Sequence, residues 1–87
     1  MKIKEGYIIN TVAGENIVLP TGDELDLSVM IALNDTGKFL WEQLQEDKTE
    51  EDLLQAVIAN YEDVDQEEAK GFIADFVGYL REYDLLA

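Results

Sequence analysis

The sequence predicts an α+β domain in which a three-stranded antiparallel sheet is followed by three helices. Two observations carry this prediction. The first third of the 87-residue chain holds β-prone segments separated by turn residues, including glycine and the only proline. The second half holds three segments with apolar residues at helical spacing, each preceded by a residue type that caps helices well. In a chain this short, strands followed by helices indicate helices packed on one small sheet.

Three segments are predicted to be strands. The first two, Tyr7 to Val12 and Ile17 to Leu19, flank the polar turn Ala13 to Asn16, which favours a hairpin. Pro20 ends the second strand, because proline cannot donate a hydrogen bond to a ladder. The third strand, Leu27 to Leu33, is a nearly continuous apolar run, which is typical of a strand covered on both faces.

Three helix starts follow. The helices are predicted to begin at Asn34, Thr49 and Asp65, whose side chains accept hydrogen bonds from the free N–H groups of a first turn. The third helix is expected to run to about Tyr83. Helices joined by short polar turns, with a hairpin attached, are typical of a winged helix-turn-helix domain. The single tryptophan, Trp41, lies among leucines at helical spacing, which favours a place in the core over a binding role.

Composition excludes several kinds of catalytic and metal site. The chain has no cysteine and no histidine, so thiolate ligands and a serine–histidine nucleophile are excluded. The acidic run that begins at Asp63 starts like a calcium-binding loop. Its sixth and twelfth positions, Glu68 and Ala74, are not the glycine and the glutamate that such a loop requires. We therefore predict no catalytic residue, no cofactor and no metal, and we interpret Asp65 as a helix cap.

The charge balance limits the partners. Six basic residues against twenty acidic ones give a formal net charge of −14, which disfavours binding to nucleic acid or to anionic membranes. The sequence starts without the apolar segment of a signal peptide, and no later run approaches the roughly 18 apolar residues of a membrane span. We expect a cytoplasmic protein that forms a single domain over residues 1–87, with most of its acidic residues on a solvated surface.

The third helix has an unusually wide apolar arc. At about 100° per residue the arc spans roughly 160°, more than the stripe of about 100° that one core contact needs. Its predicted centre is Ala69, Ile73, Phe76 and Leu80, with Phe72, Tyr79 and Tyr83 on one flank. On the other flank, two cations frame two small apolar residues: Lys70, Ala74, Val77 and Arg81. This stripe predicts a narrow groove, and the alternative is intrahelical ion pairing such as Lys70 with Glu67.

A sequence pattern lies where the third strand meets the first helix. A Leu-Asn-x-Thr-Gly segment is followed by tryptophan and leucine at Leu33, Asn34, Thr36, Gly37, Leu40, Trp41 and Leu44. In this pattern the chain resembles the PqqD family of RiPP precursor peptide recognition elements, whose founding member is the peptide chaperone of pyrroloquinoline quinone biosynthesis. The resemblance continues over nearly the whole chain, through Thr49, Leu53, Tyr61, Leu85 and Leu86.

The resemblance implies a non-catalytic domain that captures the leader of a ribosomally made precursor peptide. The domain would present the peptide to a modifying enzyme, often a radical SAM protein, with the leader added to the third strand and lying against the third helix. On this chain the implied peptide-binding backbone is Ser28, Val29, Met30, Ile31 and Ala32. Apolar contact is predicted from Ala74 and Val77, and attraction of leader carboxylates from Lys70 and Arg81.

Two other interpretations stay open at this point. One is an acidic interaction or regulatory subunit that holds no peptide substrate. The other concerns oligomeric state, because an exposed third strand is also able to pair with a second copy and form a homodimer. DNA binding, which is common among winged helix-turn-helix domains, requires a basic recognition helix and is disfavoured by the charge.

Overall fold

The computed structural model describes residues 1–20 and 31–87. Three strands are followed by three helices: β1 (Tyr7–Val12), β2 (Glu15–Pro20), β3 (Ile31–Leu33), α1 (Asp35–Gln43), α2 (Glu50–Asn60) and α3 (Gln66–Glu82). The sheet is antiparallel with the order β1-β2-β3. This α+β architecture confirms the predicted fold class. The first part of the predicted third strand, residues 27–30, lies outside the described residues.

The β1–β2 hairpin is tighter than predicted. Val12 pairs with Glu15, so the turn contains only Ala13 and Gly14, whose φ angles of 53° and 81° both lie in the left-handed region. A two-residue turn of this kind matches the right-handed twist of the flanking strands. The prediction that Glu15 and Asn16 belong to the turn was wrong, because both residues pair with β1 as part of β2.

Strand β3 lies at the edge of the sheet, as far as the described residues define it. It pairs with β2 on one side, and Ile31 lies buried opposite Val18. The next residue, Ala32, is exposed. The expectation that this strand is covered on both faces was therefore wrong at Ala32, because the core lies against one face of the sheet only. Within residues 1–20 and 31–87, the second edge of β3 has no strand partner, and such an edge is available for contact with other chains.

All three helix starts are confirmed. The Asn34 side chain accepts a hydrogen bond from the Gly37 N–H at 2.7 Å, and the Asp65 carboxylate accepts from the first-turn N–H groups of α3 at 3.0 and 3.3 Å. Helix α2 begins with a complete capping box. The Thr49 hydroxyl accepts from the Asp52 N–H at 3.1 Å, and Asp52 Oδ2 accepts from the Thr49 N–H at 2.9 Å.

The α2 capping box predicts a pH-dependent contribution to stability. Hydrogen bonds from Thr49 lower the pKa of Asp52 from its ordinary value of 3.8. Stabilisation by the charged carboxylate is therefore present above that value and is lost as the pH falls through the lower, folded-state pKa. We expect Asp52→Asn to lower the free energy of unfolding at neutral pH. The difference from wild type should shrink as the pH falls below 3.8 and through the lower, folded-state pKa, as measured by urea unfolding at a series of acidic pH values.

A matched control for this measurement is Asp75→Asn, which removes an exposed carboxylate from the middle of α3. It changes the net charge by the same amount without touching a helix start. If Asp75→Asn reproduced the pH profile of Asp52→Asn, the effect would come from net charge and not from the capping box.

The core joins the sheet to all three helices. Its buried members are Ile3, Val18, Ile31, Leu40, Trp41, Leu44, Leu53, Leu54, Val57, Ala69, Ile73, Val77, Leu80 and Leu85. Trp41 is only 2% exposed, which confirms its predicted place in the core. The two chain ends also contribute, because Ile3 forms a bridge with Leu86 and the Lys4 N–H donates to the Leu85 carbonyl at 2.9 Å. Among the described residues, no helix is both long enough and apolar enough to cross a membrane.

Candidate functional site

The buried face of α3 is rotated relative to the predicted centre of its apolar arc. Val77 is 1% exposed and packs in the core with Ala69, Ile73 and Leu80, whereas Phe76 is only half-buried. The rotation moves one flank of α3 out of the core. This aromatic flank consists of Phe72, Phe76, Tyr79 and Tyr83, which recur at helical spacing along one side of α3. Partly exposed aromatic rings on one line are a feature of interaction surfaces.

Phe72 and Phe76 line a cavity of about 250 Å³ that opens between α3 and the start of α1. We call this the Phe76 cleft, and its residues are Asn34, Thr36, Gly37, Leu40, Phe72 and Phe76. Asn34 and Thr36 follow directly after the last residue of β3. The cleft therefore lies where a chain running along the β3 edge would leave the sheet.

Gly37 keeps α1 close to the end of β3. A Cβ atom added at this position would lie 3.2 Å from Asn34 Oδ1 and 3.3 Å from Leu33 Cβ, so a larger residue would push the helix start away from the strand. The glycine of the sequence pattern thus has a physical role. It lets the first turn of α1 lie against Leu33, and it lines the Phe76 cleft.

Asn16 holds the end of β3 in place, a role that sequence reasoning missed. The side chain is 3% exposed, and its Nδ2 donates to the Leu33 carbonyl at 3.1 Å and to Asp35 Oδ1 at 3.2 Å. Its Oδ1 accepts from the Thr11 hydroxyl at 2.9 Å. These bonds tie all three strands to the start of α1. The sequence predicts that Asn16 lies in the hairpin turn. The strand register shows instead that Asn16 belongs to β2 and that its side chain points inward.

Tyr79 and Tyr83 extend the aromatic flank towards the end of α3. Their ring centroids are 4.8 Å apart in an edge-to-face arrangement, and the side chains are 36% and 39% exposed. Burial raises the pKa of the Tyr79 phenol above its ordinary value, and the neighbouring Tyr83 adds to this shift. Tyr79 therefore keeps its hydroxyl proton at neutral pH and presents a hydrogen-bond donor beside an apolar ring.

The predicted site residues fall in three places. Ile31 and Ala32 lie on the edge strand β3, with the Ile31 side chain buried and the Ala32 side chain exposed. Ser28, Val29 and Met30 lie outside the described residues. The stripe of Lys70, Ala74, Val77 and Arg81 is on α3 but does not line the Phe76 cleft. Ile31 and Ala32 do not line the Phe76 cleft either, because its lining begins at Asn34, directly after β3, and the stripe lies on the other flank of the helix.

The cations of that stripe have partners within the chain. Lys70 Nζ lies 3.8 Å from Glu67 Oε1, which confirms the ion pair expected as the alternative to a groove. Lys70 also lines a separate cavity with residues of α2, and Arg81 Nη2 lies 3.8 Å from Met1 Sδ. Val77 has no exposed surface to offer a bound molecule, because it is fully enclosed by the core.

Within residues 1–20 and 31–87, no group of acidic side chains is arranged so that it could hold a metal ion. The candidate surface in this part of the chain combines an exposed strand edge, aromatic side chains and an apolar cleft. Such a combination suits recognition of an extended peptide, in which main-chain bonds hold the backbone and pockets hold alternate side chains.

Comparisons with known proteins show a family and a shared fold. Residues 15–86 match the model of the family described as coenzyme PQQ synthesis protein D (PqqD). A solved structure of TbiB1 in complex with the TbiA(β) leader peptide is 27% identical, with a TM-score of 0.75 over 99% of this chain and 94% of that one.

A second solved structure, lasso peptide synthetase B1 complexed with the leader peptide, shares the fold. It is 21% identical, with a TM-score of 0.72 over 99% of this chain and 95% of that one. A search of curated proteins finds no match. Because the family model spans all but the first hairpin strand and the chain ends, the chain belongs to the PqqD family.

Proposed function

We propose that this protein is a non-catalytic chaperone that binds the leader segment of a ribosomally synthesised precursor peptide. The observation that carries the proposal is the edge strand β3, which ends at the apolar Phe76 cleft. Membership of the PqqD family and the likeness to TbiB1, which was solved with a leader peptide, support it. In this proposal the leader forms a fourth strand beside β3.

Strand addition explains how one small domain can bind a peptide with both affinity and selectivity. The free edge of β3 offers N–H and C=O groups that pair with any extended backbone. The predicted partners are the backbone groups of Ser28, Val29, Met30, Ile31 and Ala32. Side chains of the peptide that point towards the helices would enter the Phe76 cleft, where Phe72 and Phe76 exclude water.

In this proposal Lys70 and Arg81 act at a distance from the Phe76 cleft. Both lie on the flank of α3 that faces away from the Phe76 cleft, so they would attract leader carboxylates through space and not by lining the cleft. Such an interaction is weakened by salt, with a screening length of about 8 Å at physiological ionic strength. Ala74 is exposed beside them and would provide apolar contact there.

We further propose that the bound precursor is presented to a modifying enzyme in the cytoplasm. The family resemblance implies a radical SAM enzyme as that partner. The leader would stay on β3 while the core segment extends away to the enzyme. Binding without catalysis is consistent with a sequence that has no histidine and no cysteine.

A titration of isotope-labelled protein tests the proposed function. The probe is the leader of the precursor peptide encoded nearest to this gene, and the readout is the set of backbone amide shifts. We expect the largest shifts at residues 29–32 and on the aromatic flank at Phe72 and Phe76. Residues of β1 such as Ile8, on the far strand of the sheet, serve as the internal control.

Two outcomes would contradict the proposal. Shifts confined to surfaces away from β3 and α3 would show that another face binds the peptide. Absence of binding by any leader peptide, together with binding of a partner enzyme alone, would favour the regulatory subunit.

A further inference from the structure

A second cavity lies beside the Phe76 cleft. It has a volume of about 220 Å³ and shares Thr36 and Phe72 with that cleft. Its apolar side chains come from the end of α2, the α2–α3 connection and the start of α3: Val57, Tyr61, Val64, Ala69 and Phe72. The two cavities therefore adjoin at Thr36 and Phe72.

Carboxylates also line the second cavity. Asp63, Asp65 and Glu68 all belong to the second cavity, and all three are exposed. Among the described residues that line either cavity there is no lysine or arginine. Asp65 is already engaged, since its Oδ1 accepts two hydrogen bonds at the start of α3. Among the described residues, no side chain forms an ion pair with Asp63 or Glu68, so these two carboxylates can receive an incoming group.

The arrangement suits a cationic side chain better than a metal ion. The carboxylates are not grouped closely enough to hold a metal. The adjoining surface is apolar and aromatic, which suits the hydrocarbon stem of a lysine or arginine, while its charged head stays at the exposed rim.

We propose that this second cavity determines the sequence specificity of the bound peptide. The inference rests on the proposed function. A peptide that continues past the end of β3 places an apolar side chain in the second cavity. A lysine or arginine about one or two residues away, at roughly 3.3 Å per residue, then lies against Asp63 and Glu68.

The spacing between the apolar and the basic residue of the peptide matters because the whole protein attracts cations. With a net charge of −14, any basic peptide is drawn to the surface at low salt. The apolar anchor is what would place one basic residue at a defined distance from Asp63 and Glu68. The selectivity therefore requires both features in one peptide, at a set spacing.

The test is a selection from a displayed library of random 12-residue peptides on the intact protein. The library is selected on wild type and on the double variant Asp63→Asn/Glu68→Gln, which keeps the size of both side chains. Asparagine also tolerates the left-handed backbone at position 63, where φ is 52°. The matched control is Glu42→Gln/Glu46→Gln, which removes two exposed carboxylates that line neither cavity.

We expect wild type and the control to select peptides in which a lysine or arginine recurs at a fixed spacing from an apolar residue. The double variant should select peptides that keep the apolar residue and lose the basic one. For a selected peptide, replacing its basic residue by glutamine should weaken binding to wild type about two- to fivefold, as for an exposed ion pair. The same replacement should have no effect on the double variant.

The outcomes separate this inference from the function on which it rests. Peptides that bind through Phe76 but show no preferred basic position, or that lose affinity equally on the control, would overturn the inference and leave the proposed function standing. A library that gives no binder on wild type would contradict the proposed function and this inference together.

Discussion

Truncation of Phe76 to alanine is expected to weaken binding of the leader peptide roughly 30- to 150-fold. Phe76 lines the cleft next to the β3 edge, and loss of an aromatic anchor from such a pocket typically costs about 2–3 kcal/mol of binding free energy. The measurement is a calorimetric titration with the leader peptide encoded nearest to the gene. Phe76→Leu, which keeps most of the apolar volume, should lose much less.

The control for this experiment is Ile8→Ala. Ile8 is 48% exposed on β1, the strand farthest from β3, so its truncation removes exposed apolar surface without touching the cleft. Thermal unfolding of each variant shows whether it is folded at the titration temperature. A folded Phe76→Ala variant that binds as tightly as wild type would show that the cleft does not receive the peptide.

Replacement of Trp41 by alanine is expected to cost about 3–5 kcal/mol of folding free energy. The side chain is 2% exposed and lies in the core that joins α1 to the sheet, so its removal leaves a large apolar cavity. Small domains of this length have total stabilities at the lower end of about 5–15 kcal/mol. We therefore expect the variant to keep only about 0–2 kcal/mol of stability and to unfold at a much lower urea concentration than wild type, as followed by circular dichroism.

Two comparisons make the Trp41 measurement decisive. Trp41→Phe fills part of the same space and should cost about 1–2 kcal/mol. Phe39→Ala truncates a half-buried aromatic on the same helix, which packs edge-to-face on Tyr61 at 5.5 Å, and should cost less than Trp41→Ala. A Trp41→Ala variant that unfolds at the same urea concentration as wild type would contradict the structural role.

Local signals in the sequence were sufficient for the element order. Asn34, Thr49 and Asp65 predicted all three helix starts, because a capping bond forms between residues only two or three positions apart. The hairpin was also predicted from local residues, although its turn is shorter than expected. Because of that error the inward orientation of Asn16 was not predicted, since the register of a strand determines which of its side chains face inward.

Some features of the candidate site follow from the local sequence, and others depend on the tertiary structure. The sequence by itself determined the family pattern, the apolar third strand and the wide apolar arc of α3, since each depends on residue types along one segment. Tertiary structure alone decided which flank of α3 faces the start of α1. Helical periodicity defines relative angles and not the absolute rotation of a helix. Packing of Val77 into the core set that rotation and turned Phe72 and Phe76 towards the start of α1.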